Sequence, residues 1–294
     1  MKKLFNATFE QSLNLLDDPL VDYMIKDTSK RSLYNGERKI LPLILFLMLV
    51  LFSYGIAILS RNSILYPDPS SFLPVPSINF LPLTLFWILN IIYLCFFIFF
   101  QTKSRFSNKL FIKLNNLNNY IILLVILMNL YFLTIFFKPL TFFGTLFLYL
   151  CVISVGYVLV ISKFNKLKRL LFNQTSEMNS FDSKIEKLMY LILKCGGGLI
   201  VVVGIWKFIF PDTGEVRNDI IGFTSIVFMW QVMNIVIIAA EAYMFFPYLL
   251  HGYYKNKFSE EYRRLEGKTQ LEWYGEKYFN KHIKGTDKEE IYNE

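Results

Sequence analysis

Two charged residues lie inside long apolar segments, Lys194 near the start of one and Glu241 near the end of another. Lys194 lies about six residues after the start of its segment, and Glu241 lies about six residues before Pro247, so each is roughly 8–10 Å below a membrane interface. Because an unpaired charge at mid-membrane costs about 2.5–3.5 kcal/mol, we predict an ion pair between two membrane helices. Two alternatives stay open. Each side chain reaches interfacial water by itself, or the two form an ion or proton site.

Glu241 also belongs to a polar stripe along the last apolar segment. Thr224, Gln231, Asn234, Glu241 and Tyr248 follow one another at steps of seven, three, seven and seven residues, which places them on one side of a helix. Lipid cannot satisfy their polar groups, so the stripe is expected to face other helices or a wet cavity. Gln231 and Asn234 are of the type that more often hydrogen-bonds between membrane helices than binds a substrate.

A second set of residues is predicted to pack helices together. Small side chains let membrane helices approach closely, and this set comprises Gly144, Gly196, Gly197, Gly198 and Gly204. A run of glycines also weakens a helix, so a local break at 196–198 is the alternative. Pro247 is a hinge candidate near the end of the last apolar segment, and an ordinary helix terminus is the other interpretation.

The sequence lacks the motifs of soluble catalysis. It has no phosphate-binding loop, dinucleotide fingerprint, nucleophile elbow or HExxH pair, and its 2 His and 3 Cys have no metal-ligand spacing. We therefore expect no catalytic residue, no metal and no cofactor. An enzyme of lipid or envelope chemistry is the remaining catalytic alternative, but the chain shows no cluster of polar residues at one interface for it.

Six apolar segments carry these residues. Hydrophobic types make up 54% of the chain and charged types 18%, against about 25% charged in ordinary soluble domains. Each segment is about as long as a membrane-spanning helix requires. They cover residues 41–60, 81–100, 120–137, 141–162, 188–210 and 220–250. The predicted fold is therefore all-α, a polytopic bundle of six transmembrane helices.

The basic residues predict the orientation of this bundle. Along the chain, loops with many Lys and Arg residues alternate with loops that have few. Loops rich in these residues stay in the cytosol. Both termini are thus expected to be cytosolic, with an N-terminal segment 1–40, a transmembrane domain 41–250 and a tail 251–294. Short amphipathic helices are expected at both ends, one of them starting at a capping box of Thr269 and Glu272. Three arrangements of the tail stay open: it packs under the bundle, lies at the lipid headgroups or binds a partner.

Three classes of function fit these features. The favoured class is a non-enzymatic membrane protein that binds: a subunit of a complex, or an immunity or defence component. The alternative is a transporter or channel for ions or small solutes that uses the polar face of the sixth span, and a membrane enzyme comes last. The expected partners are the lipid bilayer and another membrane protein or a second copy of the chain, without nucleic acid. The abundance of Phe, Ile, Asn and Lys suggests a bacterial plasma membrane.

Overall fold

The architecture comes from a computed structural model, which describes residues 2–30, 40–103 except 68, 70 and 72, 109–173, 180–194 and 219–290. Within these ranges the chain forms helices and no strand, which confirms the predicted all-α class. The α-helices are α1 (Phe9–Leu13), α2 (Pro19–Lys30), α3 (Ile40–Leu65), α4 (Leu83–Lys103), α5 (Lys109–Leu171), α6 (Ser180–Lys194), α7 (Ile220–Ala240), α8 (Phe246–Lys257), α9 (Ser259–Leu265), α10 (Gln270–Tyr274) and α11 (Glu276–His282). Short 3-10 helices cover Lys2–Phe5 and Asn14–Asp17.

Three of the described helices are long and apolar enough to cross a membrane. They are Phe46–Leu65, Asn115–Leu171 and Ile220–Lys257, and a shorter apolar helix covers Leu83–Phe99. Most of the predicted fifth segment, 188–210, lies outside the described residues, which end there with α6 at Lys194. The described helices thus agree with a membrane protein at the level of length and composition.

The longest helix, α5, is two limbs joined by a sharp break. Thr141 has φ 61° and ψ 172°, which is not helical, and it follows Pro139. Tyr149 Oη lies 3.3 Å from Asn129 Oδ1, a contact that a straight helix would forbid because these residues would stand about 30 Å apart. The limbs 109–140 and 142–171 therefore fold back on each other. This is the antiparallel hairpin expected from so short a connection.

Contacts between the long helices show how their directions are related. α3 runs parallel to the first limb of α5, because Ser53 bonds to Tyr120 and Ser60 to Thr134. The last helix runs antiparallel to that limb and parallel to the second limb. Among the described apolar helices, α3, α4 and the two limbs of α5 thus alternate in direction. The last helix runs in the same direction as the second limb, and most of the segment between them lies outside the described residues.

The last helix is continuous from Ile220 to Lys257, so it extends beyond Leu250, where the sequence predicted its end. One π-helical turn, Glu241–Phe245, separates α7 from α8, and the N–H of Phe246 donates to the carbonyl of Glu241. Pro247 follows this turn at the start of α8. A proline ring clashes with the carbonyl four residues earlier in a regular helix, and the wider π turn relieves that clash. Backbone angles at Phe245 and Phe246 remain helical.

Both terminal parts pack at one end of the bundle and form a cap, which we define as residues 2–30 and 259–290. Tyr254 Oη donates to the carbonyl of Leu4 at 2.5 Å and accepts from the N–H of Ala7 at 3.0 Å. Ser12 Oγ and Tyr262 Oη are 2.9 Å apart, and Trp273 joins the same buried cluster. The described tail therefore packs beneath the bundle, the first of the three arrangements that the sequence left open.

The predicted capping box of the tail is confirmed. Thr269 accepts from the N–H of Glu272, and the Glu272 carboxylate accepts from the N–H of Thr269. The helix that it starts ends at Tyr274, because Gly275 has φ 77° and separates α10 from α11. A positive φ is readily adopted by glycine, so the presence of glycine at position 275 explains the break.

Candidate functional site

A cluster of buried charges lies where the second limb of α5 reaches the cap. Its members come from the N-terminal segment, this limb and α6, and they comprise Asp18, Lys163, Lys166, Arg169, Asp182 and Glu186. Three carboxylates face three cations, so the formal charges balance. We call this set the charge cluster.

Lys163 is the centre of the charge cluster. Its side chain is 0% exposed, and its Nζ lies 2.6 Å from Asp18 Oδ2 and 2.7 Å from Glu186 Oε1. Lys166 Nζ binds the other oxygen of Glu186, and the aromatic ring of Tyr243 lies 5.1 Å from Lys163 Nζ. Charge-assisted bonds of this kind are the strong ones in a protein interior. The cation therefore ties the N-terminal segment to α6.

Asp18 also starts α2. Its Oδ1 accepts hydrogen bonds from the N–H groups of Leu20 and Val21 at 3.1 and 3.3 Å. A carboxylate at a helix N-terminus satisfies free backbone donors and favours the helix dipole. One side chain thus caps α2 and anchors it to the bundle.

Asp182 forms the other half of the charge cluster. Its Oδ1 accepts from Ser162 Oγ at 2.6 Å and from Tyr243 Oη at 2.7 Å. Its Oδ2 makes no hydrogen bond but lies 3.9 Å from an Arg169 nitrogen. Asp182 therefore joins α6 to both the second limb and the π turn of the last helix.

Sequence reasoning missed the charge cluster because it treated Lys163 and Lys166 as loop residues. In the structure the second limb continues to Leu171, and both lysines lie inside the protein. The available signal was the acidic residues Asp18 and Glu186, each close to apolar residues, and Asp182 one turn before Glu186. Chemically, the cluster is a set of paired charges that joins elements.

A second polar group lies among the long helices and contains Asn234, one of the predicted residues. Asn129 Nδ2 donates to Asn234 Oδ1 at 2.8 Å, and Trp230 Nε1 donates to Asn129 Oδ1 at 2.8 Å. Tyr149 Oη donates to the same oxygen of Asn129. These bonds link both limbs of α5 to α7, and we call them the amide network. Gln231 lies one residue after Trp230, with its Oε1 buried and without a hydrogen-bond partner.

Glu241 lies in the π turn and meets an amide of the first limb. Asn118 Nδ2 donates to Glu241 Oε2 at 3.1 Å, while Asn118 Oδ1 is buried without a partner. The side chain of Lys194 lies outside what the structure describes, so the predicted pair with Glu241 stays a prediction. Sequence reasoning did not single out Asn118, which lies in the polar run 115–119 just before the predicted third segment.

The predicted packing glycines are only partly described. Gly196, Gly197, Gly198 and Gly204 lie outside the described residues. At Gly144 an added Cβ would lie 3.6 Å from the Cβ of Leu140, the last residue of the first limb. A close contact occurs instead at Gly156, where a Cβ would lie 3.1 Å from Ile238 Cδ1. Gly156 is therefore the described glycine that lets the second limb approach the last helix.

At the end of the bundle opposite the cap, an open cavity of about 360 Å³ lies between α3, the proline-rich connector 66–82 and the first limb. Its lining includes Tyr66, Pro74, Pro76 and Tyr131. Beside it, Ser60 Oγ hydrogen-bonds to both Asn79 Oδ1 and Thr134 Oγ1, and these bonds hold the connector in place. In the described part of the chain, no group of three or more His, Cys, Asp or Glu is placed to hold a metal ion.

The fold and these polar groups define an all-helical protein with helices suited to cross a membrane. No family model, curated protein or solved structure matches the chain.

Proposed function

We propose that the protein is an integral membrane protein with six spans and both termini in the cytosol, and that it acts by binding another membrane protein as a subunit or an immunity or defence component. The alternating directions of α3, α4 and the two limbs of α5 support this topology. The alternating counts of basic residues in the loops support the orientation. The bacterial plasma membrane is the proposed location, on composition.

The observation that carries the binding role is how the polar groups are used. In the amide network, Asn129 binds Asn234 and Trp230, and in the charge cluster Lys163 binds Asp18 and Glu186. These groups hold helices together and leave few of their atoms for substrate. Interhelical hydrogen bonds in membranes have this structural role. A rigid bundle with broad apolar flanks suits a protein whose task is to contact a neighbour.

The flanks are available for such contact. The second limb of α5 exposes large apolar side chains along its outer side: Phe143, Phe147, Leu150, Ile153 and Tyr157. In a bilayer these side chains meet lipid or another helix. Gly156 and Ile238 meet on the inner side of the same limb.

Purification in mild detergent tests the binding role. A tagged protein expressed at its native level should retain one partner in fixed stoichiometry. In the same purification, the double variant Phe147→Ala and Ile153→Ala should recover less of that partner. Both side chains are exposed, so their loss leaves the amide network intact. Recovery of a lone homodimer whose liposomes pass ions or solutes would contradict the proposal.

Cysteine labelling tests the topology. In a variant with Cys95, Cys151 and Cys195 replaced by Ser, Ser71→Cys should react with an impermeant maleimide applied to intact cells. Glu276→Cys should react only after the cells are opened. Labelling of position 276 in intact cells would refute cytosolic termini.

A transporter or channel is the second candidate, favoured by one observation: Glu241 and Asn118 meet within the bundle. Carboxyl groups inside membrane segments often mark ion or proton pathways. Flux of protons or solutes through liposomes that contain the purified protein, lost on Glu241→Gln, would favour this candidate over binding.

A further inference from the structure

The side-chain amide of Asn118 has one hydrogen bond made and one missing. Its Nδ2 donates to Glu241 Oε2 at 3.1 Å. Its Oδ1 is buried, and no donor reaches it. The whole residue is only 3% exposed. A buried acceptor without a donor is destabilising, so the hydrogen bonding of this site is incomplete while Glu241 is ionised.

A proton on Glu241 supplies the missing donor. An ionised carboxylate only accepts hydrogen bonds, whereas a protonated one also donates through its O–H. A carboxylic acid and a primary amide can then form a ring of two bonds, the amide N–H to one carboxyl oxygen and the acid O–H to the amide oxygen. Asn118 already makes the first bond, and its unsatisfied Oδ1 is the acceptor that the second requires.

The position of Glu241 suits such a site. It opens the π turn of the last helix, and single π turns inside long helices are frequent at functional positions. Within a membrane a neutral carboxyl avoids the cost of a charge. The bond to Asn118 joins the π turn to the first limb of α5, so the proton would bridge two separate helices.

The charged and titratable groups on the elements packed around the π turn have partners of their own. In the described part of the chain they include, on the N-terminal segment, α5, α6 and the turn itself, Asp18, Asp22, Tyr23, Lys26, Tyr120, Lys163, Lys166, Arg169, Asp182, Glu186 and Tyr243, and on α8 Tyr248, His251, Tyr254 and Lys255. Tyr120 bonds to Ser53, Asp22 to Lys26, and Tyr243 to Asp182. Tyr23 stacks edge-on with Tyr190, and Lys163 binds two carboxylates. The side chain of Lys194 is not described. The test below must therefore distinguish a Glu241 carboxyl that is protonated from one that Lys194 keeps ionised.

We propose that Glu241 and Asn118 form an intramembrane proton-binding site, with Glu241 protonated at rest and bonded to both atoms of the Asn118 amide. The proton comes from bulk water and returns to it, and no other bond is made or broken. Release of the proton removes the bond to Oδ1 and loosens the first limb from the last helix. The site goes beyond the proposed binding role and stands whichever of the two candidate functions holds.

Infrared spectroscopy of the full chain in liposomes tests the site directly. A protonated carboxyl has a C=O stretching band that is separate from the bands of a carboxylate and that shifts in heavy water. The difference spectrum between wild type and Glu241→Gln should contain this band at neutral pH and lose it in strong alkali. Absence of the band at neutral pH would overturn the proposal.

Two further variants assign the band. Asn118→Leu should keep the band but shift it to higher frequency, because the carboxyl loses its amide partner, whereas Gln231→Leu on the same helix should leave it unmoved. An unchanged frequency in Asn118→Leu would overturn the pairing. A band that is missing in wild type and gained in Lys194→Met would show that Lys194 holds Glu241 ionised, which also overturns the proposal. If Asn118→Leu does not fold, the Glu241→Gln difference still decides the protonation state.

Discussion

Replacing Lys163 with methionine should destabilise the protein more than any exchange of an exposed lysine. Lys163 holds two buried carboxylates, Asp18 at 2.6 Å and Glu186 at 2.7 Å. Without the ammonium, Asp18 keeps its bonds to the backbone of α2 but loses its charge partner. Glu186 still has Lys166. The variant therefore leaves one carboxylate buried and unpaired.

The size of the loss follows from this arrangement. Removing one partner of a buried ion pair typically costs about 3–5 kcal/mol, because the other charge stays buried. Lys26→Met is the matched control: its pair with Asp22 is exposed, 67% and 43% for the two side chains, and such pairs contribute about 0–1 kcal/mol. Asp18→Asn combined with Lys163→Met should recover part of the loss, about 0.5–3 kcal/mol, because asparagine can still cap α2.

Equilibrium unfolding in mixed micelles with increasing sodium dodecyl sulfate measures these free energies. The expected order of stability is wild type, then Lys26→Met close to it, then the double variant, and last Lys163→Met. If Lys163→Met unfolds within about 1 kcal/mol of Lys26→Met, the charge cluster does not hold the N-terminal segment as argued. A double variant less stable than Lys163→Met would refute the pairing with Asp18.

Three further predictions address other parts of the fold. Asn129→Leu removes the bonds to Asn234 and Trp230 and should cost about 1–2 kcal/mol in the same assay, while Asn90→Leu, which loses a bond to Phe86 in its own helix, should cost less. Tyr254→Phe removes both bonds to Leu4 and Ala7 and should speed tryptic cleavage of the N-terminal segment several-fold; Tyr253→Phe, whose hydroxyl lies 3.5 Å from the Phe5 carbonyl, should not. Burial raises the pKa of Glu266, but Lys255 and Lys268 lower it more, so its pKa is below the ordinary value. Its stabilising contribution is then complete above the ordinary carboxyl pKa of about 4.3 and lost as pH falls below it, so the unfolding temperature should fall more steeply with acid in wild type than in Glu266→Gln.

The elements of the fold that follow from local sequence were the ones that could be predicted. Long apolar runs fix where the long helices lie, and Lys138 and Pro139 leave too little chain between two of them for anything but a hairpin. Thr269 and Glu272 fix the start of α10 through their mutual hydrogen bonds. Each of these features depends on residues close together in the chain.

The charge cluster and the Glu241–Asn118 contact depend on residues far apart in the chain. Lys163 follows the apolar run of its limb, and nothing in the neighbouring sequence distinguishes it from an exposed lysine of a cytosolic loop. Its burial results from α2 and α6 closing over it, and Asp18 is 145 residues away. Likewise Glu241 was expected to meet a lysine on the preceding segment, whereas its described partner is an amide 123 residues earlier.

The contact of Tyr254 with Leu4 and Ala7 also has a consequence for biosynthesis. Ala7 and Tyr254 are separated by 247 residues in the chain. Ribosomes add roughly 5–20 residues per second. The N-terminal segment is therefore made on the order of 10–50 s before its docking surface exists. During that interval the apolar side of α1 and α2 has no docking surface, and the cap closes only once the last helix has been made.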